Sequence, residues 1–172
     1  MSNTNKIITY SDLVDYFQTI CTYHVLLNPE EQNPSSHFME YQEEFTGANM
    51  KSPTLILLPA LYGIVDQQSD NHHLSTQVDF MIAISGKKGN PEANKTALDT
   101  AFGIAWDVVT KINADSKDYR VTNGRFISQF DPNSVRIEEF PPMGADYMIG
   151  YKVSFEFYNP KSIALNPSNW YY

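Results

Sequence analysis

An α+β fold is what this sequence predicts: an antiparallel β-sheet with two main helices packed on one face, plus a long loop and a C-terminal arm. Three observations carry the expectation. In GADYMIGYKVSFEFYNPKS, the apolar Tyr147, Ile149, Tyr151, Val153, Phe155 and Phe157 alternate with Met148, Gly150, Lys152, Ser154 and Glu156. Strand side chains alternate between the two faces of a sheet, so this reads as one long strand with a greasy face and a mostly polar face. Segment 91–113 carries Ala97, Ala101, Ala105, Val108 and Ile112 at helical spacing. The elements run helix, strands, helix, strands, with no parallel-sheet signature.

Taken in order, the first helix is expected over 11–26. Ser11 reads as its N-cap, Asp12 and Asp15 place negative charge in the first turn, and Leu13, Phe17, Ile20 and His24 form a stripe. Asn28-Pro29 stops it. The stretch 28–53 holds three prolines among many carboxylates and reads as a long loop, with a short strand or helical turn near 38–45. Residues 54–58 and 61–65 are apolar runs broken at Pro59. Alternation returns over 76–85, giving an antiparallel hairpin over 55–85. Asn90, Pro91 and Glu92 form a helix start. A last antiparallel pair is expected at 135–140 and 147–158.

The chain of 172 residues favours one domain. Its parts are an N-terminal segment (1–10), a single α+β domain (11–160) and a C-terminal arm (161–172). Trp170, Tyr171 and Tyr172 in that arm are candidates for docking on the parent domain or on a neighbouring subunit. The net charge of −8 argues against a protein that grips nucleic acid with its whole surface. Cys21 is the single cysteine, which excludes an internal disulfide, and its place on the first helix's apolar stripe makes it a buried thiol. MSNTNKIITY lacks the apolar core of a signal peptide, and no segment is apolar enough to cross a bilayer. A protein made and used in a cytoplasm, or carried out of one in an assembly, is the expectation.

Candidate chemistry is thin. His72 and His73 sit beside Asp70, yet adjacent histidines on a strand point to opposite faces and no zinc-binding spacing is present; no metal or cofactor is expected. Gly86-Lys87-Lys88-Gly89 lacks the order of a phosphate-binding loop, which leaves Lys87 and Lys88 as candidates for contact with a phosphate or an acidic partner. Asp131, Glu138 and Glu139 suit a charged sheet edge better than an acid–base pair. No serine or cysteine stands in a nucleophile motif, and the chain is not expected to be an enzyme.

The order of elements, closing on IEEFPPMGADYMIGYKVSFEFYNP, resembles the tail-terminator or tail-completion proteins of tailed bacteriophages and the related head-to-tail joining proteins. The resemblance covers about 11–158 and rests on topology and strand pattern. It implies a structural virion protein whose copies form a ring, commonly a hexamer, that ends the tail tube or joins tail to head. Its partners would be its own copies, a tail tube or sheath protein, and portal or connector proteins. DNA would pass through the channel without specific binding, and no membrane would be involved. The implied site of action is the tail or neck of the virion, assembled in the host cytoplasm. Lys152, Ser154 and Glu156 then become candidates for a strand face turned to the lumen or to the next subunit, and net acidity suits a channel that must not hold phosphates. The alternative is a soluble α+β module, unrelated to virions, that binds a ligand or peptide.

Overall fold

The structure, a computed structural model, describes residues 8–41, 50–66, 72–118 and 127–159. The arm with Trp170, Tyr171 and Tyr172 lies outside the described residues, as do 42–49 of the long loop.

The first helix, α1 (Tyr10–Tyr23), is capped by Thr9 rather than by Ser11. The Asp12 N–H donates to the Thr9 hydroxyl at 3.2 Å and the Thr9 N–H donates to the Asp12 carboxylate at 3.0 Å, a reciprocal capping box. The helix ends three residues before the expected Leu26. There the His24 Nδ1 accepts from the N–H groups of Leu26 and Leu27 at 3.2 and 3.3 Å. The Asn28 amide holds the next turn by donating to the carbonyls of Thr22 and Gln32, both at 2.8 Å. Such local bonds offer the chain an alternative to further helix.

Six strands among the described residues form one sheet: β1 (Phe38–Glu40), β2 (Thr54–Leu57), β3 (Leu61–Asp66), β4 (His72–Ser85), β5 (Phe130–Met143) and β6 (Met148–Asn159). The order is β1-β2-β4-β6-β5, and β3 lies beyond β2 along the same flank of β4. Every pairing is antiparallel except β1 with β2, a three-residue parallel edge. The sheet is therefore mixed, where an antiparallel one was expected. β5 runs through Pro132, Pro141 and Pro142, well beyond the expected 135–140. An edge strand tolerates proline because half of its N–H groups face away from the ladder.

The second helix, α2 (Pro91–Lys117), begins at Asn90, whose side chain accepts from the Ala93 N–H at 3.1 Å. It runs four residues past the expected end and lies along β4 and β6. Ala101 and Ala105 let it approach the sheet closely, and Ile104, Val108 and Ile112 meet Phe80, Phe155 and Phe157 below. Aromatic rings tie the layers together: Phe17 stands 5.3 Å from Phe80, and Phe80 stands 6.3 Å from Phe155. These three side chains are fully buried, each contributing about 1.5–3 kcal/mol relative to exposure. Both helices lie on this one face, as an α+β fold requires.

Candidate functional site: the open sheet face and its edges

On the face away from the helices, β6 presents Lys152, Ser154 and Glu156 beside Gln77 and Asp79 of β4 and Arg136 and Glu138 of β5. Lys152 Nζ lies 2.6 Å from Asp79 Oδ2, and Gln77 donates to the other oxygen of that carboxylate at 3.1 Å. Partial burial pushes the Asp79 carboxyl up, but hydrogen bonds from Lys152, Gln77 and Ser154, with the charge of Lys152, outweigh it and hold the group below its ordinary value. The Ser75 hydroxyl donates to Glu156 at 3.0 Å, and the Glu156 N–H donates to the Ser134 hydroxyl at 2.8 Å. The three candidate residues of β6 are thus half-buried and locked into cross-strand pairs. Asp79, Asp131, Glu138 and Glu156 outnumber Arg136 and Lys152 on this face.

At its other end the same face turns apolar. Ile56, Ala83, Phe140 and Met148 are buried there, ringed by Met39, Met50, Met81 and Met143. Five of the chain's six methionines meet in this patch, and unbranched thioether side chains fill irregular space well. The expected polar face therefore holds for Lys152, Ser154 and Glu156 and fails for Met148, which is fully buried. Gly150 lies within the patch, with Phe140 beside it.

Two lateral edges border the sheet. At one, β3 pairs only with β4 among the described residues, and its Leu61 and Ile64 are 66% and 62% exposed. At the other, β5 pairs only with β6 among the described residues. Beside it, α2 displays Phe102, whose ring meets Tyr151 at 5.5 Å, and Trp106 one turn on, 53% exposed.

Lys87 and Lys88 are exposed in the turn between β4 and α2. The turn is held by the Asn94 side chain, which accepts from the Lys87 N–H at 2.7 Å and donates to the Lys87 carbonyl at 3.2 Å. His72 and His73 open β4 opposite Asp66 and Val65, and the described residues hold no cluster of three metal-ligating side chains. Glu138 and Glu139 take opposite faces of β5, opposite Lys152 and Tyr151. Cys21 is fully buried, as expected, and burial pushes its thiol up to about 12.

One constellation escaped the reading of the sequence. Between α1 and α2 lies a cleft of about 360 Å³ over Ile20 and Val108. At one end the buried Asp115 accepts from the Tyr16 hydroxyl at 2.8 Å and from Lys111 at 2.5 Å; burial, then the bond to Asp115, pushes the Tyr16 phenol up. At the other end His24 Nε2 stands 3.5 Å from Asp107. The i,i+4 spacing of Lys111 and Asp115 was the available signal, but the Tyr16 contact spans 99 residues of chain and no local pattern announces it. No family model matches the chain, and neither a curated protein nor a solved structure matches it at a significant level.

Proposed function

We propose that the protein is a structural virion subunit, assembling into a homo-oligomeric ring that terminates the tail tube or joins tail to head and leaves a channel for DNA. The open face of the sheet supports this reading. Both helices keep to one face, while the other holds Asp79 against Lys152 and Glu156 against Ser75 and is richer in carboxylates than in cations. A surface of that kind suits phosphates sliding past it, whereas a cationic lining would hold DNA through counterion release. In this reading the partners are further copies of the chain, in a ring that is commonly a hexamer in the family it resembles, with a tail tube or sheath protein and portal or connector proteins. It acts in the tail or neck of the virion after assembly in the host cytoplasm. Light scattering of the purified protein, with negative-stain imaging of any large species, tests the reading. A closed ring with a central hole is the expected result; a monomer that stays monomeric with tube or connector protein added would overturn it.

A second reading, a soluble module that binds a ligand or peptide, is favoured by the cleft between α1 and α2. Its volume of about 360 Å³ falls in the range of small-molecule sites, and apolar walls with a few convergent polar groups are their usual chemistry. A monomer in solution together with saturable ligand-induced shifts at Tyr23 and His24 would establish it.

A further inference from the structure

We infer that neighbouring copies join edge to edge, the outer edge of β3 on one copy, uncovered among the described residues, pairing antiparallel with the outer edge of β5 on the next. This rests on the ring reading and names the contact that would build the ring. A strand edge is a row of unpaired N–H and C=O groups that templates pairing unless charge, proline or a covering segment guards it. The first five residues of β3, Leu61, Tyr62, Gly63, Ile64 and Val65, carry neither charge nor proline. β5 is guarded at its ends by Pro132, Pro141 and Pro142, which have no N–H to offer. Its pairing window is therefore 133–140, long enough for the six residues of β3; Arg136, Glu138 and Glu139 within it are charged, so β5 is the guarded partner and the uncharged run 61–65 of β3 the open one.

Strand direction favours this partner. β3 is antiparallel to β4, β4 to β6 and β6 to β5, so β3 and β5 run in opposite senses on opposite flanks of the sheet. A second copy placed beside the first by rotation about an axis near the strand direction brings its β3 against β5 as an antiparallel pair. The alternation β3-β4-β6-β5 then continues from copy to copy, a head-to-tail contact that can close into a ring.

Side chains agree with the pairing. On the helix side, the exposed Tyr62 and Ile64 would meet Val135 and Ile137, both half-buried, below the exposed Phe102 and Trp106. On the open side, Gly63, with no atom within 4 Å of where a Cβ would lie, would pass Arg136 and Glu138. A β3–β3 dimer would leave Phe102 and Trp106 in water, whereas the head-to-tail contact covers the apolar edge of β3 together with Phe102 and Trp106. Gly63 lies level with Tyr158 through Ser75, and Arg136, on the same face, lies level with Ser154. With Gly63 set opposite Arg136, the copies are displaced by about four residues, roughly 14 Å along the strands. Closure then needs strands tilted to the ring axis, as in any closed sheet.

Cysteine cross-linking of the full chain tests the contact, because the native Cys21 is buried. Gly63→Cys is combined with Arg136→Cys or with Glu138→Cys, and each single variant serves as control. The expected result is a ladder of dimers, trimers and higher species on oxidation of a double variant, with none from the singles. Ile64→Lys is expected to weaken assembly at least about tenfold while leaving the circular dichroism spectrum of the fold unchanged. Dimers from Gly63→Cys alone would overturn the inference in favour of a two-fold β3 contact. A wild-type ring whose double variants never cross-link and whose Ile64→Lys variant still assembles would overturn the inference and leave the ring standing. A wild-type protein that never assembles would remove the ring reading itself, and this contact with it.

Discussion

A Cβ built on Gly150 would lie 1.9 Å from the carbonyl oxygen of Ile82 on the neighbouring strand. Gly150 has φ +153°, and Phe140 closes over it from the other side, 3.3 Å from the same Cβ position. Backbone cannot yield there as a flexible side chain could. Gly150→Ala is expected to destabilise the protein by at least about 3 kcal/mol, read as a lower denaturation midpoint in urea. A loss under about 1 kcal/mol would show that the two strands can part locally.

Asp79 and Lys152 set an acid limit on stability. The folded carboxyl is held below its ordinary value, so its contribution is fully present above the unfolded pKa of about 3.9 and is lost as pH falls through the lower folded value. Lys152→Met should cost about 1 kcal/mol at pH 7, allowing for solvent screening at a half-open site. Protonation of Asp79 should shrink that deficit at pH 3. Urea titrations at the two pH values measure it, and an equal deficit at both would assign the effect to packing of the lysine stem.

Cys21 should resist alkylation in the native protein. It is buried in α1, with its thiol pushed up to about 12 by loss of solvent, and the thiolate is the reacting form. Iodoacetamide at pH 8 is expected to modify it only through unfolding, with a rate that rises with urea as the unfolded fraction does. Fast labelling without urea would mean that α1 opens independently of the sheet.

Thr9→Ala removes one half of the capping box and should cost about 1 kcal/mol, seen in thermal unfolding. Ser11→Ala, inside the helix and exposed, should change stability by less than about 0.5 kcal/mol. Equal effects of the two substitutions would place the cap elsewhere.

Much of this fold was readable because its periodicities are long. The alternation 147–157 located β6, and the apolar stripe of 91–113 located α2. What escaped depended on partners distant in sequence. Ser11 and Thr9 are both good capping residues, and only the reciprocal bond from Asp12 chooses between them. β1 is three residues long and exists because β2 lies beside it. The prolines of β5 read as strand ends because a lone sequence does not show which strand is an edge. Met148 read as polar-facing because alternation assigns it a face without revealing that methionines from four other segments meet it there. Of the candidate site, the placement of Lys152, Ser154 and Glu156 on the open face followed from the period of two. Their partners Asp79 and Ser75 did not, since register is a property of the folded sheet.

β4 and β6 are joined over twelve successive residue pairs, Leu74 with Asn159 through Ser85 with Met148. Tension along the strands would strain those rows together and meet the combined strength of the ladder. Tension across them would open one row at a time, beginning at an end. The molecule is thus mechanically anisotropic, stiff along the strands and weak across them, and it would withstand most force where the pull runs nearest to β4 and β6.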